Sequence, residues 1–171
     1  MKNSKLTLVL MAGLPGAGKT TLASKLGRDL GWLVIDKDKL KERLLQQRMG
    51  DEQAGFAAYN QSFDAALDAL MKQQSVILDS AALHPFILDN AKGIVYNIEN
   101  AQLKVILCVA DRNLRNHRLR NRPQVTRIKV DPATIADYLQ YFKHLPADKL
   151  ILYTITSFEE CLTQARDYVI S

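Results

Sequence analysis

Cysteine is scarce in this sequence, which contains two, Cys108 and Cys161. They lie far apart and lack the spacing of a metal site, so a cysteine-bound metal is not indicated. Cys108 belongs to an apolar run and Cys161 to a helical pattern, and we therefore expect both to be buried, reduced thiols. Such thiols are consistent with a cytoplasmic protein.

Long hydrophobic runs are also absent. No stretch approaches the roughly 18 apolar residues of a membrane-spanning helix, so we expect no membrane association. The first residues, MKNSKLTLVLMAGLPGAG, combine early lysines, an apolar stretch and small residues, as a secretory signal does. The apolar stretch is at the short end of the signal range, and the glycines fit another motif better, so we expect a cytoplasmic location.

Internal repeats, low-complexity segments and Pro/Gly-rich linkers are missing as well, and residues 1–171 are expected to form a single domain. A chain of this length can bury a sizeable core. The net charge of +5 fits an anionic ligand but does not by itself indicate nucleic acid.

Five short apolar runs have the length and composition of buried strands. Several are continuously apolar rather than alternating, which is typical of a parallel sheet covered on both faces. The predicted strands are Leu6–Ala12, Leu33–Asp36, Ser75–Asp79, Leu103–Val109 and Leu150–Thr154.

Helical patterns fill the gaps between these runs, and we expect Asp131 to cap the sixth helix. Glycines follow the first two helices and provide stop signals. The predicted helices are Thr20–Leu30, Lys39–Met49, Gln53–Gln73, Pro85–Asn97, Asn113–Asn121, Pro132–Phe142 and Phe158–Ile170. The alternation of strands with helices predicts a doubly wound α/β domain.

The segment GLPGAGKTT matches the phosphate-loop pattern G-x-x-x-x-G-K-[ST] and lies between a predicted strand and a predicted helix, as the motif requires. A flexible glycine turn is the alternative. In a phosphate loop, the glycines of GLPGAGKTT permit backbone torsions closed to other residues, which lets successive N–H groups surround a phosphate chain. The residues expected to bind ATP are Gly13, Leu14, Pro15, Gly16, Ala17, Gly18, Lys19, Thr20 and Thr21.

Two side chains of this loop carry specific chemistry. Lys19 supplies a positive charge for the outer phosphates, and the Thr20 hydroxyl is a ligand for Mg²⁺. The helix that begins near Lys19 adds its positive N-terminal end. The sequence therefore predicts a site for ATP and Mg²⁺.

The third predicted strand, SVILDS, ends in Asp79 and resembles a Walker B strand, whose aspartate holds Mg²⁺, usually through water. A strand-end aspartate that only caps a turn is the alternative. Ser80 follows where motor ATPases commonly place a glutamate that orients water, and the Asn-Lys-x-Asp pattern of guanine recognition does not occur. These features favour a kinase over a motor or a GTPase switch, with Ser80 as a candidate substrate contact.

Six arginines lie in DRNLRNHRLRNRPQVTRIK, after the fourth predicted strand. On a helix, Arg115, Arg118 and Arg122 fall along one face. Arginines that cover a transferring phosphoryl group stabilise its charge and exclude water, so this stretch predicts a lid over about residues 112–131. A solvated basic helix is the alternative.

The motifs GLPGAGKTTLA, VIDKDKLKE, VILDS and LRNHRLRNRP occur in the order and spacing of small P-loop kinases. Over nearly its full length the chain resembles the group that includes the 5′-hydroxyl polynucleotide kinases, chloramphenicol phosphotransferase and the zeta-toxin kinases. The resemblance implies a P-loop NTPase three-layer α/β sandwich, with a five-stranded parallel sheet in the order 2-3-1-4-5 and a helical lid. It also implies that Arg118 contacts the nucleotide and that Arg122, a catalytic candidate, contacts the transferring group.

The segment after the second strand reads KDKLK, where the polynucleotide kinases read roughly Arg-Asp-Asp-Tyr-Arg. The resemblance implies that Asp38 is the base for the attacking hydroxyl and that Lys41 binds substrate phosphate. Asp36 is a weaker candidate, for the metal shell or substrate hydroxyls, and a helix N-cap is the alternative role for Asp38. A lysine at position 41 offers a point charge in place of a planar fork, which weakens the case for a polynucleotide acceptor.

Three functions remain open from the sequence. The first is an ATP-dependent kinase for a small hydroxylated molecule. The second is a 5′-hydroxyl polynucleotide kinase, which the basic lid supports but which lacks an aromatic-and-basic track for single strands. The third is a nucleotide-binding regulatory module with weak ATPase activity. The acceptor pocket is expected in Gly50–Gln73, which carries no motif, and the oligomeric state has no sequence signal.

Overall fold

The computed structural model describes residues 5–120 and 130–171 and contains a five-stranded parallel sheet with helices on both faces. The strand order is β2-β3-β1-β4-β5, so the implied order is confirmed. Every predicted strand is present, with ends shifted by one or two residues at most. The strands are β1 Leu6–Ala12, β2 Leu33–Asp36, β3 Val76–Asp79, β4 Ala101–Val109 and β5 Leu150–Tyr153.

Helices separate the strands and form two layers. One layer, α1 and α7, packs on one face of the sheet, and α3, α4 and α6 pack on the other. This arrangement confirms the three-layer α/β sandwich. The helices are α1 Lys19–Leu30, α2 Lys37–Gln46, α3 Asp51–Met71, α4 Pro85–Tyr96, α5 Arg112–Leu119, α6 Ile135–Tyr141 and α7 Phe158–Ile170.

The central strand β1 is buried along its whole length. Successive side chains of a strand point to opposite faces. Accordingly, Leu8 and Leu10 belong to the core under α3 and α4, whereas Val9 and Met11 belong to the core under α1 and α7. Apolar cores on both sides favour apolar residues on both faces of the strand, which explains an apolar run that only the buried Thr7 interrupts.

The carboxyl ends of three neighbouring strands meet at one edge of the sheet. Asp36, the last residue of β2, is in register with Asp79, the last residue of β3, and Asp79 is in register with Met11 of β1. The segments that follow β1, β2 and β3 therefore start side by side. In open α/β sheets this edge is where ligands bind.

The predicted start of α6 is wrong. Asp131 does not cap this helix, which begins at Ile135 with Thr134 as its N-cap. The Thr134 hydroxyl accepts from the Asp137 N–H at 3.1 Å, and the Asp137 carboxylate accepts from the Thr134 N–H at 3.3 Å. This capping box satisfies two N–H groups at once and sets the boundary locally, while Asp131 pairs with arginines of α5.

Two further predictions concern the cysteines and the membrane. Cys108 and Cys161 are both buried and neither forms a disulfide, which confirms the prediction of buried thiols. Within residues 5–120 and 130–171, every helix is too short or too polar to cross a bilayer.

Candidate active site

Three glycines of the phosphate loop have left-handed backbone torsions. The φ angles are 135° at Gly13, 79° at Gly16 and 91° at Gly18, values that residues with a Cβ rarely adopt. At Gly16 a Cβ would also lie 2.8 Å from the carbonyl oxygen of Arg115, so the position lacks space as well. The predicted need for glycine at these three positions is confirmed.

Hydrogen bonds within the loop set its shape. The Gly13 N–H donates to the Ala81 carbonyl at 3.0 Å, and the Ala17 N–H donates to the Leu14 carbonyl at 3.1 Å. The Lys19 ammonium donates to the same Leu14 carbonyl at 3.2 Å, so the lysine side chain folds back over the loop. The loop contains both buried and exposed residues. Leu14 and Ala17 are buried; the partly exposed residues are Pro15, Gly16, Gly18 and Lys19, and the exposed ones are Thr20 and Thr21.

Helix α1 begins at Lys19, and Gly18 is its N-cap. Gly18 has no side chain that could cap the helix, and the first turn contains no acidic residue. The first N–H groups and the positive end of the helix dipole therefore face the loop without an internal anion. A helix start of this kind, next to a ring of loop N–H groups, suits a phosphate chain.

Thr20 and Asp79 meet beside the loop. The Thr20 hydroxyl donates to Asp79 Oδ2 at 2.6 Å, and Asp79 is 4 % exposed. The other carboxylate oxygen, Oδ1, is buried and has no hydrogen-bond partner among the residues that the structure describes. The pKa of Asp79 is raised to about 6, chiefly by burial; Lys19 and the Thr20 hydrogen bond lower it, and the charges of Asp36 and Asp38 add to the rise.

These two residues fit Mg²⁺. A hydroxyl and a carboxylate are the hard oxygen donors that this ion prefers, and the unpartnered Oδ1 is a ligand atom that the fold leaves unsatisfied. Across the described residues no group of three or more His, Cys, Asp and Glu side chains could hold a metal alone. A site with two protein donors suits an ion that keeps waters and shares phosphate oxygens.

Asp36 is the N-cap of α2. Its Oδ1 accepts from the N–H groups of Asp38 at 3.0 Å and Lys39 at 3.1 Å. Helix α2 therefore begins at Lys37, two residues before the predicted start, and the alternative role of Asp38 as N-cap is wrong. Asp38 lies in the first turn, where its negative charge favours the helix dipole.

Lys37 is a buried cation that the sequence did not single out. Its ammonium lies 2.6 Å from Asp38 Oδ1 and 5.0 Å from the centre of the Tyr59 ring. The Lys37 side chain is 5 % exposed, whereas that of Asp38 is 56 % exposed. Burial raises the pKa of Tyr59, and the negative charge of Asp38 raises it further. The Tyr59 hydroxyl and the Asp38 carboxylate therefore interact electrostatically.

Lys41 lies in α2 and is buried. Its ammonium forms an ion pair with Asp51 Oδ1 at 2.9 Å, and its side chain is 7 % exposed. Asp51 opens α3, so this ion pair joins the middle of α2 to the start of α3. Contact between Lys41 and substrate stays a prediction.

Ser80 follows Asp79 at the end of β3. Its hydroxyl is buried and has no hydrogen-bond partner in the described part of the chain. Ser80 lies just beyond the last residue of β3, whereas Asp79 meets Thr20 of α1. The predicted substrate contact of Ser80 is not tested by this geometry.

The arginines of α5 are held by the protein rather than by solvent. Arg115 is 4 % exposed, donates to the Ala110 carbonyl at 3.2 Å and pairs with Asp131 at 3.2 Å. Arg118 donates to the Gly16 carbonyl at 3.1 Å and to the backbone and hydroxyl of Thr154. The alternative of a solvated basic helix is therefore wrong for these two residues. Arg122 lies outside the described residues, as does part of the predicted lid.

Thr154 is a site residue that the sequence did not reveal. Its hydroxyl donates to the Ala17 carbonyl at 2.8 Å and accepts from Arg118, so it links the end of β5 to the phosphate loop. Tyr138 is another, since its hydroxyl contacts the Leu14 N–H. Both residues follow ordinary apolar patterns, and neither has a local signal that distinguishes it from a packing residue.

The fold and this loop define a P-loop nucleotide-binding protein. The chain belongs to the family AAA_33, described as an AAA domain, whose model matches residues 8–145. That match covers most of β1, the phosphate loop, Asp79 and α6.

Similar proteins include several kinases. The chain is 28% identical over 149 residues to the shikimate kinase of Paracidovorax citrulli. The aligned residues make up 87% of this chain and 66% of that protein. A structure from Chloroflexus aurantiacus, described as a kinase, has a TM-score of 0.71 at 20% identity and covers 96% of this chain and 98% of the other. The APS kinase CysC of Mycobacterium tuberculosis, in complex with AMPPNP and APS, has a TM-score of 0.68 at 17% identity and covers 98% and 99%.

These similarities differ in what they establish. The chain spans slightly less than two thirds of one curated relative, and 58% of a second shikimate kinase, from Thermoanaerobacter pseudethanolicus. The solved structures share the fold along almost their whole length at low identity. The P-loop NTPase fold is therefore established.

Proposed function

We propose that this protein is an ATP-dependent kinase that transfers the γ-phosphoryl group to a hydroxyl of a small molecule. The observation that carries the proposal is the position of Asp38, in the first turn of α2 directly after the strand that pairs with Asp79. A carboxylate thus lies at the sheet edge that also carries the phosphate loop, which supports Asp38 as the proton acceptor. A protein that only binds nucleotide has no need of that group, so a kinase accounts for the site better than a regulatory module.

The loop residues bind the triphosphate in this proposal. Backbone N–H groups from Gly13 to Thr20 and the ammonium of Lys19 contact the phosphates, and Arg118 contacts the nucleotide. Thr20 and Asp79 hold Mg²⁺. When bound, this ion offsets negative charge on the phosphates. Arg122 is proposed to stabilise the charge that develops on the transferring group.

Asp38 is proposed to act on the acceptor hydroxyl. The hydroxyl oxygen forms a bond to the γ-phosphorus, the bond from that phosphorus to the β–γ bridging oxygen breaks, and ADP leaves. The hydroxyl proton moves to the Asp38 carboxylate. Because phosphoryl transfer is largely dissociative, the base acts late and mainly orients the hydroxyl. The Lys37 ammonium, 2.6 Å from Asp38, holds this carboxylate in place.

A small-molecule acceptor is supported over a polynucleotide. Lys41, the residue that the polynucleotide kinase resemblance assigns to substrate phosphate, is already engaged by Asp51. The similar kinases are named for shikimate and for APS, which are small molecules. Near the proposed base, the Tyr59 ring packs edge-on against the Phe86 ring, with ring centres 5.5 Å apart. The Lys37 ammonium lies over the Tyr59 ring. We propose that these rings and Ser80 line the acceptor pocket.

A labelled-ATP screen tests the proposal. The purified protein is incubated with Mg·ATP and a panel of hydroxylated metabolites, antibiotics and 5′-hydroxyl oligonucleotides, and transfer of label is measured. We expect transfer to at least one small molecule and none to the oligonucleotides. Transfer to the oligonucleotides alone would favour the polynucleotide kinase, and ATP turnover without any acceptor would favour the regulatory module.

Asp38→Asn then tests the base. The amide keeps the shape of the side chain but cannot accept the proton, so transfer should fall by about 10²–10⁴-fold while Mg·ATP binds nearly normally. Asp36→Asn is the matched control, because it removes the same charge two residues away and asparagine still caps a helix. A folded, ATP-binding Asp38→Asn protein with near-normal transfer would rule out this role.

A further inference from the structure

The hydroxyl of Tyr138 connects the phosphate loop to the sheet. It accepts a hydrogen bond from the Leu14 N–H at 2.7 Å and donates one to the Cys108 carbonyl at 2.8 Å. Tyr138 is 1 % exposed and lies 124 residues from Leu14 along the chain. A single buried hydroxyl therefore satisfies one backbone donor of the loop and one backbone acceptor near the end of β4.

The peptide that Tyr138 holds is the one where the loop leaves β1. It joins Gly13, whose φ of 135° is open only to glycine, to Leu14, whose side chain is fully buried. A Cβ on Gly13 would lie 3.1 Å from the Tyr138 hydroxyl, so the backbone and the phenol are in close contact. The carbonyl of the next peptide, that of Leu14, accepts from Lys19.

The Tyr138 ring is itself held on two sides. The Arg115 guanidinium lies 5.6 Å from the ring centre, and the Phe142 ring lies 5.4 Å away, centre to centre. Arg115 is fixed in turn by the Ala110 carbonyl and by Asp131. The hydroxyl has little freedom to move away from the loop, since an ion pair and a packed ring restrain the side chain that carries it.

We propose that Tyr138 is a positioning residue for nucleotide binding, which fixes the Gly13–Leu14 peptide in its binding orientation before the nucleotide arrives. The inference rests on the proposed binding of ATP by this loop. Its physical basis is pre-organisation, since a loop that is already ordered loses less conformational freedom when the phosphates bind. Burial also raises the pKa of Tyr138, so the hydroxyl keeps the proton that it donates to Cys108.

Tyr168 provides a matched control on the other side of the sheet. Its hydroxyl accepts from the Val105 N–H at 3.3 Å and donates to the Asp148 carbonyl at 3.1 Å. The Lys104 ammonium lies 4.8 Å from its ring centre, as Arg115 lies over Tyr138. Tyr168 thus makes the same kinds of contact, but with no residue of the phosphate loop.

The experiment compares Tyr138→Phe with Tyr168→Phe by calorimetric titration with Mg·ATP, at a temperature where both variants are folded. We expect Tyr138→Phe to raise the Kd for Mg·ATP by about tenfold, the effect of losing one well-made hydrogen bond, and Tyr168→Phe to change it less than twofold. Unchanged affinity in Tyr138→Phe, or equal losses in both variants, would overturn the inference. If the wild type bound no Mg·ATP, the proposed nucleotide site would fail, and this inference with it.

Hydrogen exchange provides a second measurement that needs no variant. In the nucleotide-free wild type, the Leu14 amide should exchange as slowly as amides of the central strand β1, because it is buried and bonded to Tyr138. Fast exchange of this amide, with protection only after ATP is added, would show that the nucleotide itself orders the loop. That result would overturn the inference even if Tyr138→Phe did not fold.

Discussion

The carboxylate of Asp36 accepts a hydrogen bond from the backbone N–H of Asp38 at 3.0 Å. One acid therefore caps the helix that carries the other. The two residues, which are close in sequence and equal in charge, have separate roles in the structure. Asp36 satisfies the helix start, and its side chain is 16% exposed, while the Asp38 side chain is 56% exposed at the edge of the sheet.

Stability measurements should separate these two acids. Asp36→Ala removes a side chain that bonds two backbone N–H groups, so it should lower the free energy of unfolding by about 1 kcal/mol, within the usual 0.5–2 kcal/mol of an N-cap. Asp38→Ala removes no cap, but it leaves the buried Lys37 ammonium without this carboxylate, so its loss should shrink when Lys37 is also changed to Met, whereas the loss in Asp36→Ala should persist in that background. Urea denaturation of both variants, without ligand, measures the difference. An Asp36→Ala loss that disappears in the Lys37→Met background would contradict its role as the cap.

The Thr20–Asp79 contact should control the dependence of nucleotide binding on Mg²⁺. Thr20→Val keeps the shape of the side chain but removes the hydroxyl, and Asp79→Asn removes the charge. We expect both variants to bind Mg·ATP at least tenfold more weakly than the wild type, because each removes one hard oxygen donor from the ion. Calorimetric titrations in Mg²⁺ and in EDTA give the two affinities.

The EDTA arm is the internal control for that experiment. Affinity for ATP without Mg²⁺ should change little in either variant, since the loop N–H groups and Lys19 are unaltered. Equal losses in Mg²⁺ and in EDTA would indicate a damaged loop instead of a lost ion site.

The buried Asp79 carboxyl should make the stability of the ligand-free protein depend on pH. Its pKa is raised in the fold to about 6, whereas in the unfolded chain it has its ordinary value of 3.8. The folded state therefore binds the proton more tightly, and stability should rise as pH falls from about 7 to about 4. A pKa difference of about two between the folded and unfolded states changes the free energy of unfolding by at most roughly 3 kcal/mol.

Asp79→Asn is the control for this pH effect. Denaturant midpoints are measured in EDTA between pH 4 and pH 7.5 for both proteins, and the difference between them isolates the Asp79 contribution from all other titrating groups. We expect the variant to gain stability over the wild type at pH 7.5 and to lose that advantage near pH 4. Parallel curves would contradict the raised pKa.

Arg118 should contribute to nucleotide binding through the loop. Arg118→Ala removes hydrogen bonds from its guanidinium to Gly16 and Thr154, so we expect Mg·ATP to bind about tenfold more weakly. Arg166→Ala, which removes an exposed arginine from α7, is the matched control for the lost charge. Equal affinities in the two variants would show that Arg118 has only a packing role.

Arg122 has a different expected effect. The resemblance to small P-loop kinases assigns it to the transferring phosphoryl group, so Arg122→Ala should lower kcat with little change in the KM for ATP. Steady-state kinetics with the acceptor found in the labelled-ATP screen provides the measurement. A loss confined to KM would assign Arg122 to binding rather than to transfer.

Much of the fold could be predicted because its signals are local. Each strand is a short, largely apolar run, and the residues in β1 face cores on both sides. The loop could also be predicted from a local signal. Gly13, Gly16 and Gly18 adopt positive φ angles, and the need for glycine at such a position depends on the torsion of that residue alone. Local chemistry also explains one failure. Asp131 looks like a cap, but the nearby Thr134 forms a complete capping box.

The sequence by itself determined the order of strands and helices, the phosphate loop and the identity of the acids at the sheet edge, because these depend on neighbouring residues and their periodicity. Tertiary structure alone decided which residues complete the site. Tyr138 meets Leu14 across 124 positions, and Arg118 meets Thr154 across 36. The division of roles between Asp36 and Asp38 also required the fold. Contacts between distant segments depend on how helices pack on a sheet. The spacing of residues within one segment predicts which face of that segment is buried, but it does not predict which residues of another segment contact it.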